Sequence, residues 1–200
     1  MTTSPLAAAI RMLTGVSVRW VGTEPDVCQR IYFANHTSHL DAPLVWAVLP
    51  AEVRALTLPT AARDYWSAGK LRYQLATRVF NAVLIERDRF SRSNNPLSIL
   101  VSAMGNRYSL ILFPEGKRNP GPEIGEFRGG LYHLAKRRPE IELVPVYIAN
   151  LWRIFPKGAL LPLPLLSSVS FGAPIRLQVA EPKAAFLERA RNAVRTLKPE

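Results

Sequence analysis

The sequence predicts an α/β fold: a single domain over residues 1–200, with a mostly parallel central sheet flanked by helices. Three observations carry that expectation. Short apolar runs alternate with helical patterns along the whole chain, the order of an α/β protein. Val83-Leu84-Ile85 and Leu110-Ile111-Leu112-Phe113 are apolar throughout rather than alternating, the mark of strands covered on both faces. The length of 200 residues suits one globular domain, and no internal repeat, low-complexity tract or linker divides it.

The elements follow in chain order. Residues 6–18 form a first apolar stretch, too short to span a bilayer and expected to touch lipid at most. Strands are expected at 30–34, 53–58, 82–86, 108–113, 142–148 and 169–171. Helices are expected at 42–48, 60–80, 96–105, 130–138 and 182–197. Within 60–80, Leu71, Leu75 and Val79 recur every fourth residue, with Lys70 and Arg78 nearby. That spacing reads first as a core-facing stripe and only second as a membrane contact. The last helix is well marked, with Pro182 at its first position and Phe186, Ala190, Ala193 and Leu197 along one side. Asn119-Pro120-Gly121-Pro122 is a turn signal. Residues 152–166 mix Trp152, Phe155, cations and bulky apolar side chains. They fit a membrane-facing loop or a buried crossover. Residues 158–175 carry no charge, but Pro162, Pro164, Gly172 and Pro174 lie inside them and break a spanning helix.

Composition narrows the partners. Lys plus Arg number 26 against 15 Asp plus Glu, a formal net charge of +11. Such a field favours nucleic acid, a phospholipid surface or a phosphorylated substrate. No zinc-finger, helix-turn-helix or aromatic RNA-binding signature is present, so nucleic acid is not expected. A single cysteine, Cys28, excludes an internal disulfide framework and a multi-cysteine zinc site and fits a reducing compartment. The opening residues carry no basic side chain, and Arg11 interrupts the apolar stretch behind them, so no secretory signal is expected.

Three segments can carry chemistry, and each follows a predicted strand, the favoured place for a site in an open α/β sheet. The first is Asn35-His36-Thr37-Ser38-His39-Leu40-Asp41. On one straight helix His36 and Asp41 would point about 140° apart. They can meet only if His36 lies in a loop and Asp41 opens the helix. Asp41 would then fix one imidazole nitrogen and leave the other as a general base. Asp41 also stands two residues before Pro43 and reads equally as a helix cap. His39 reads as a loop or surface residue. His36, His39 and Asp41 resemble metal ligands in spacing, but only His133 remains to complete a set. The second segment, Pro114-Glu115-Gly116-Lys117-Arg118-Asn119, brings a carboxylate, a flexible glycine and two cations to a strand end. It reads as an anion grip or as a polar turn. The third ends a strand with Arg87, with Arg89 and Arg92 close behind; a guanidinium fork suits phosphate, and a solvated edge is the other reading.

These strand ends, in this order, resemble the glycerophospholipid acyltransferases, and in particular the 1-acylglycerol-3-phosphate (lysophosphatidate) acyltransferase group. The first motif of that family is matched by Asn35, His36, Ser38 and Asp41, the second by Arg87, the third by Phe113 to Arg118 and the fourth by Val144-Pro145-Val146. Phe127-Arg128-Gly129-Gly130 and residues 169–175 also look like family segments, so the likeness covers roughly 31–175. Three positions depart from the pattern: Lys117 replaces a small residue, Asn119 a serine, and Asn81 the glycine that opens the second motif. They bear on the acceptor headgroup more than on the chemistry.

The resemblance implies direct acyl transfer. His36 would act as general base on the acceptor hydroxyl, oriented by Asp41. Arg87, Glu115, Gly116, Lys117 and Arg118 would bind the acceptor's glycerol phosphate. Acyl-CoA or acyl-carrier protein would be a cosubstrate, with no metal or bound cofactor. Peripheral attachment to an anionic membrane at its cytoplasmic face is also implied. The alternatives are another lyso-lipid or amino-lipid acceptor on the same fold, a lipid-surface scaffold that has lost activity, and a non-catalytic basic module binding lipid or nucleic acid. The absence of a Gly-x-Ser-x-Gly elbow fits a reaction without a covalent serine.

Overall fold

The computed structural model describes residues 4–86, 95–119, 121, 123–151 and 166–199. Among them are strands β1 (Ser17–Trp20), β2 (Arg30–Ala34), β3 (Thr57–Ala62), β4 (Val83–Ile85), β5 (Ser109–Leu112), β6 (Glu142–Ala149) and β7 (Ser168–Phe171). The α-helices are α1 (Pro5–Thr14), α2 (Asp41–Val48), α3 (Ala51–Ala55), α4 (Arg63–Trp66), α5 (Lys70–Gln74), α6 (Pro96–Met104), α7 (Gly130–Arg137) and α8 (Lys183–Arg195). A π-helical turn, Leu75–Val79, continues α5.

The strands lie in one sheet in the order β1-β7-β6-β2-β5-β3-β4. From β6 to β4 every neighbouring pair is parallel. β7 runs antiparallel to β6 and parallel to β1, so the β1–β7 edge is reversed. The sheet is thus mostly parallel, as the unalternating apolar runs predict.

β2 shows why. All five of its residues are buried, because successive side chains point to opposite faces and both faces are covered. Ile31 and Phe33 face Leu110, Met104, Leu131 and Phe186, where α6, α7 and α8 pack. Tyr32 and Ala34 face Ile111 and the α2 residues Leu44, Val45 and Val48. Full burial of such a side chain contributes about 1.5–3 kcal/mol. The parallel strands therefore end their carboxyl termini along one edge, where Ala34, Leu112, Ala62 and Ile85 stand.

The sequence expectations fail in three places. Residues 53–55 are helical, not extended: the chain turns into α3 after Pro50, and the strand occupies 57–62 instead. The helix expected over 60–80 is broken. Its first residues complete β3, where Thr57–Pro59 pair with β5 and Thr60–Ala62 with β4. Gly69 then sits extended between α4 and α5. The Leu71–Leu75–Val79 stripe does not face the core, for all three side chains are exposed. Finally, β1 has no counterpart among the expected strands; it is a four-residue edge strand with no fully buried position. The segment 152–165, expected as a membrane-facing loop or a crossover, lies outside the described residues. Among the described residues no helix is long and apolar enough to cross a membrane.

Candidate active site

The site is built at the carboxyl end of β2. Asn35 takes the strand one residue further: its Nδ2 donates to the Ile148 carbonyl at 3.0 Å and its Oδ1 accepts from the Ile148 N–H at 2.8 Å. A side-chain amide thus mimics a backbone pairing to β6, and the chain is released into a loop directly afterwards. His36 is the first residue of that loop.

His36 Nδ1 lies 2.8 Å from Asp41 Oδ2. A carboxylate can only accept, so Nδ1 carries the proton and Nε2 is the basic nitrogen. Asp41 is fully buried at the first residue of α2, whereas the His36 side chain is 20% exposed. The same Oδ2 accepts from the backbone N–H of Thr37 at 2.6 Å and of Ser38 at 2.8 Å. These donors belong to the loop and not to the helix, and α2 has no side-chain cap bond. Of the two readings of Asp41, the geometry therefore selects the dyad over the helix cap.

The second segment braces the first. Glu115 is buried. Its Oε1 accepts from the His36 N–H at 2.8 Å, and its Oε2 from the Gly125 N–H at 3.0 Å. Burial pushes this carboxyl above the usual carboxylate range, and the two N–H donors partly offset that push. Both oxygens of Glu115, expected to bind the acceptor, are thus engaged by backbone N–H groups that brace the His36 loop. The Asn119 N–H closes the other side, donating to the His36 carbonyl at 2.7 Å. The Phe113 ring stacks on the His36 imidazole with centroids 4.3 Å apart.

Gly116 is required by its backbone. Its φ is +69°, in the left-handed region, and a Cβ there would lie 2.8 Å from Arg128 Cδ. A side chain at Gly125 would meet Glu115 Oε2 at 2.7 Å. Asn81 stands where the family pattern has glycine, and its φ is +49°. Asn is the residue that tolerates this conformation best after glycine. Asn at this position therefore keeps the backbone conformation that glycine would allow. Asn119 turns its side chain to the Glu123 carbonyl. Of the three departures, Lys117 alone lines the cavity that holds His36.

That cavity measures about 310 Å³ and is lined by His36, His39, Thr60, Tyr65, Lys117 and Arg118, among others. Lys117 and Arg118 are exposed on their outer side. His39 is not a plain surface residue: it is half-buried and stacks on Tyr65 with centroids 4.0 Å apart. The sequence signal for this is the aromatic pair Tyr65-Trp66, hidden inside an expected helix. A second cavity of about 340 Å³ opens beyond Phe113, lined mainly by apolar side chains including Leu97, Leu100, Leu131 and Leu134. Arg87, with Arg89 and Arg92, lies outside the described residues. Among the described residues, no cluster of three His, Cys, Asp or Glu side chains is arranged to hold a metal ion.

The site thus sets the His36–Asp41 pair at the end of the central strand of a mostly parallel sheet, with the cationic loop residues Lys117 and Arg118 beside it. The chain belongs to the acyltransferase family: residues 25–149 match the family model described as Acyltransferase. It is 25% identical over 179 residues to the 1-acyl-sn-glycerol-3-phosphate acyltransferase of Cocos nucifera, covering 82% of this chain and 54% of that one. It is 26% identical over 144 residues to the human 1-acyl-sn-glycerol-3-phosphate acyltransferase alpha, covering 70% and 48%. The chain thus spans about half the length of these curated relatives. The fold is that of the 1-acyl-sn-glycerophosphate (LPA) acyltransferase PlsC of Thermotoga maritima, with a TM-score of 0.72 at 19% identity over 96% of this chain and 78% of that one.

Proposed function

We propose that this acyltransferase moves a fatty acyl group from acyl-CoA or acyl-carrier protein to the free hydroxyl of 1-acylglycerol-3-phosphate, giving phosphatidate. One observation carries the reading: the His36–Asp41 pair at 2.8 Å borders a cavity that also holds Lys117 and Arg118. The names of the relatives support the acceptor. Nε2 of His36 takes the hydroxyl proton, and Asp41 stabilises the imidazolium that forms. The acceptor oxygen attacks the thioester carbonyl. As the C–S bond breaks, the thiolate leaves and takes the proton back from His36. Arg87, Lys117 and Arg118 bind the phosphate, and Gly116 lets the backbone approach it. The apolar cavity beyond Phe113 accepts the acyl chain. No metal or bound cofactor enters the reaction. The net charge of +11 supports peripheral attachment to an anionic membrane, at its cytoplasmic face.

The test is thiol release from a long-chain acyl-CoA, with and without lysophosphatidate, by the protein and by His36→Ala. Release is expected to need the acceptor and to fall about 10²–10⁴-fold in the variant. Silence with every lyso-lipid and both thioester donors would sink the reading. A second acceptor is favoured by one feature, the Lys117 cation where the family carries a small residue. Lys117→Thr is then expected to shift preference between lysophosphatidate and lyso-lipids with other headgroups.

A further inference from the structure

The segment from Lys70 to Val79 presents two faces that do different things. Ala76 is buried inward, Phe80 follows it inward, and both line the cavity that holds His36. On the opposite side Leu71 is 80% exposed and Val79 45% exposed, with Leu75 and Tyr73 exposed beside them. Lys70, Arg72 and Arg78 are exposed on the same ten residues. No acidic residue occurs between positions 65 and 85. The segment turns Ala76 and Phe80 inward, where the Phe80 ring packs edge-on against Trp46 of α2, and leaves the bulky apolar side chains outside. The last turn widens from α to π geometry, with the Phe80 N–H donating to the Leu75 carbonyl. Such turns occur frequently at functional sites. The segment is also tied to the catalytic loop. Arg72 lies 4.9 Å from the centroid of the Tyr65 ring, on which His39 stacks.

We propose that this exposed face, Leu71, Leu75 and Val79 flanked by Lys70 and Arg78, docks on a bilayer containing anionic phospholipid and sets the mouth of the His36 cavity against that surface. Bulky apolar side chains enter the headgroup boundary, and cations beside them meet the negative surface potential. Charge complementarity identifies the occupant, for an acidic lipid surface meets Lys70 and Arg78 here and no carboxylate between positions 65 and 85. The position at the cavity rim rests on the acyltransferase reading only for its purpose, delivery of a membrane-resident acceptor. The docking itself rests on exposure and charge.

The experiment measures binding of the full chain to sedimenting vesicles of phosphatidylcholine with and without phosphatidylglycerol, in the absence of substrate. Leu71→Ser/Val79→Ser is expected to lower binding to the anionic vesicles at least tenfold. Lys70→Gln/Arg78→Gln is expected to lower it about 30-fold and to abolish the preference for phosphatidylglycerol. These positions are exposed, so an unchanged melting temperature certifies each variant as folded. His36→Ala and Met12→Ser/Leu13→Ser, the latter on the exposed apolar end of α1, are expected to bind like the unaltered chain. Binding unchanged in both double variants of the 70–79 face overturns the proposal, as does loss confined to the α1 variant, or no binding of the unaltered chain to anionic vesicles. If these vesicle results hold while no acyl transfer is found, the docking face stands and the proposed activity falls.

Discussion

The backbone N–H of His36 is held by the side chain of Glu115, 79 residues away in sequence, at 2.8 Å. The residue that bears the imidazole is therefore fixed from both ends of one site. Asp41 holds its ring, and Glu115 and Asn119 hold its main chain.

Asp41→Asn separates hydrogen bonding from charge. The carboxamide oxygen can take the place of Oδ2 and still accept from His36 and from the Thr37 and Ser38 N–H groups, with its NH₂ toward the Thr37 hydroxyl, so the bonds persist while the negative charge is lost. Turnover in the thiol-release assay is expected to fall about 10²–10⁴-fold. Stability to denaturant is expected to change by less than about 1 kcal/mol, since no buried donor is left unpaired.

Glu115 makes stability depend on pH in a direction opposite to most carboxylates. Its folded pKa is raised above the ordinary value, chiefly by burial. The native state then binds this proton more tightly than the unfolded chain does. Its contribution is fully present below the ordinary carboxyl pKa and is lost as pH rises through the raised one. Urea denaturation across that window, with Glu115→Gln as reference, is expected to show the difference between the two proteins shrinking as pH rises. A flat difference would contradict it. Glu115→Gln is also expected to lose activity, because its amide NH₂ faces an N–H donor of either His36 or Gly125.

Gly116→Ala is expected to cost about 1–2 kcal/mol from its left-handed backbone alone. The contact with Arg128 adds to that, since the new Cβ would lie 2.8 Å from Cδ. In Gly116→Ala/Arg128→Ala the contact part should vanish and the backbone part persist. A double-mutant cycle of melting and denaturant midpoints measures the coupling.

Asn35→Ala removes both bonds to Ile148 and leaves a buried N–H and carbonyl on β6 unpaired. A loss of about 1–3 kcal/mol is expected in denaturant titration, together with reduced turnover, because the loop bearing His36 starts at this joint.

Much of this arrangement is legible in the amino-acid sequence. β2, β5 and α2 fall within a residue or two of expectation, because continuous apolar runs and a proline-marked helix start are local signals. The meeting of His36 with Asp41 can be stated from sequence as a condition, loop then helix, though not decided. Relations set by distant packing are not legible in this way. Thr60–Ala62 extend because β5 and β4 pair with β3 there, although their own sequence suits a helix. The four-residue spacing of Leu71, Leu75 and Val79 is the same whether the stripe meets a core or solvent, so periodicity alone points the wrong way. Glu115 resembles a ligand in sequence since a carboxylate beside cations has that appearance; its backbone partners come from segments before and after it in the chain.

The bond from Asn119 to His36 carries a consequence for how such a protein can change. It is made by a main-chain N–H, so every amino acid but proline supplies it equally. Substitution at position 119 therefore leaves this bond to His36 in place and exchanges only the side-chain bond to the Glu123 carbonyl.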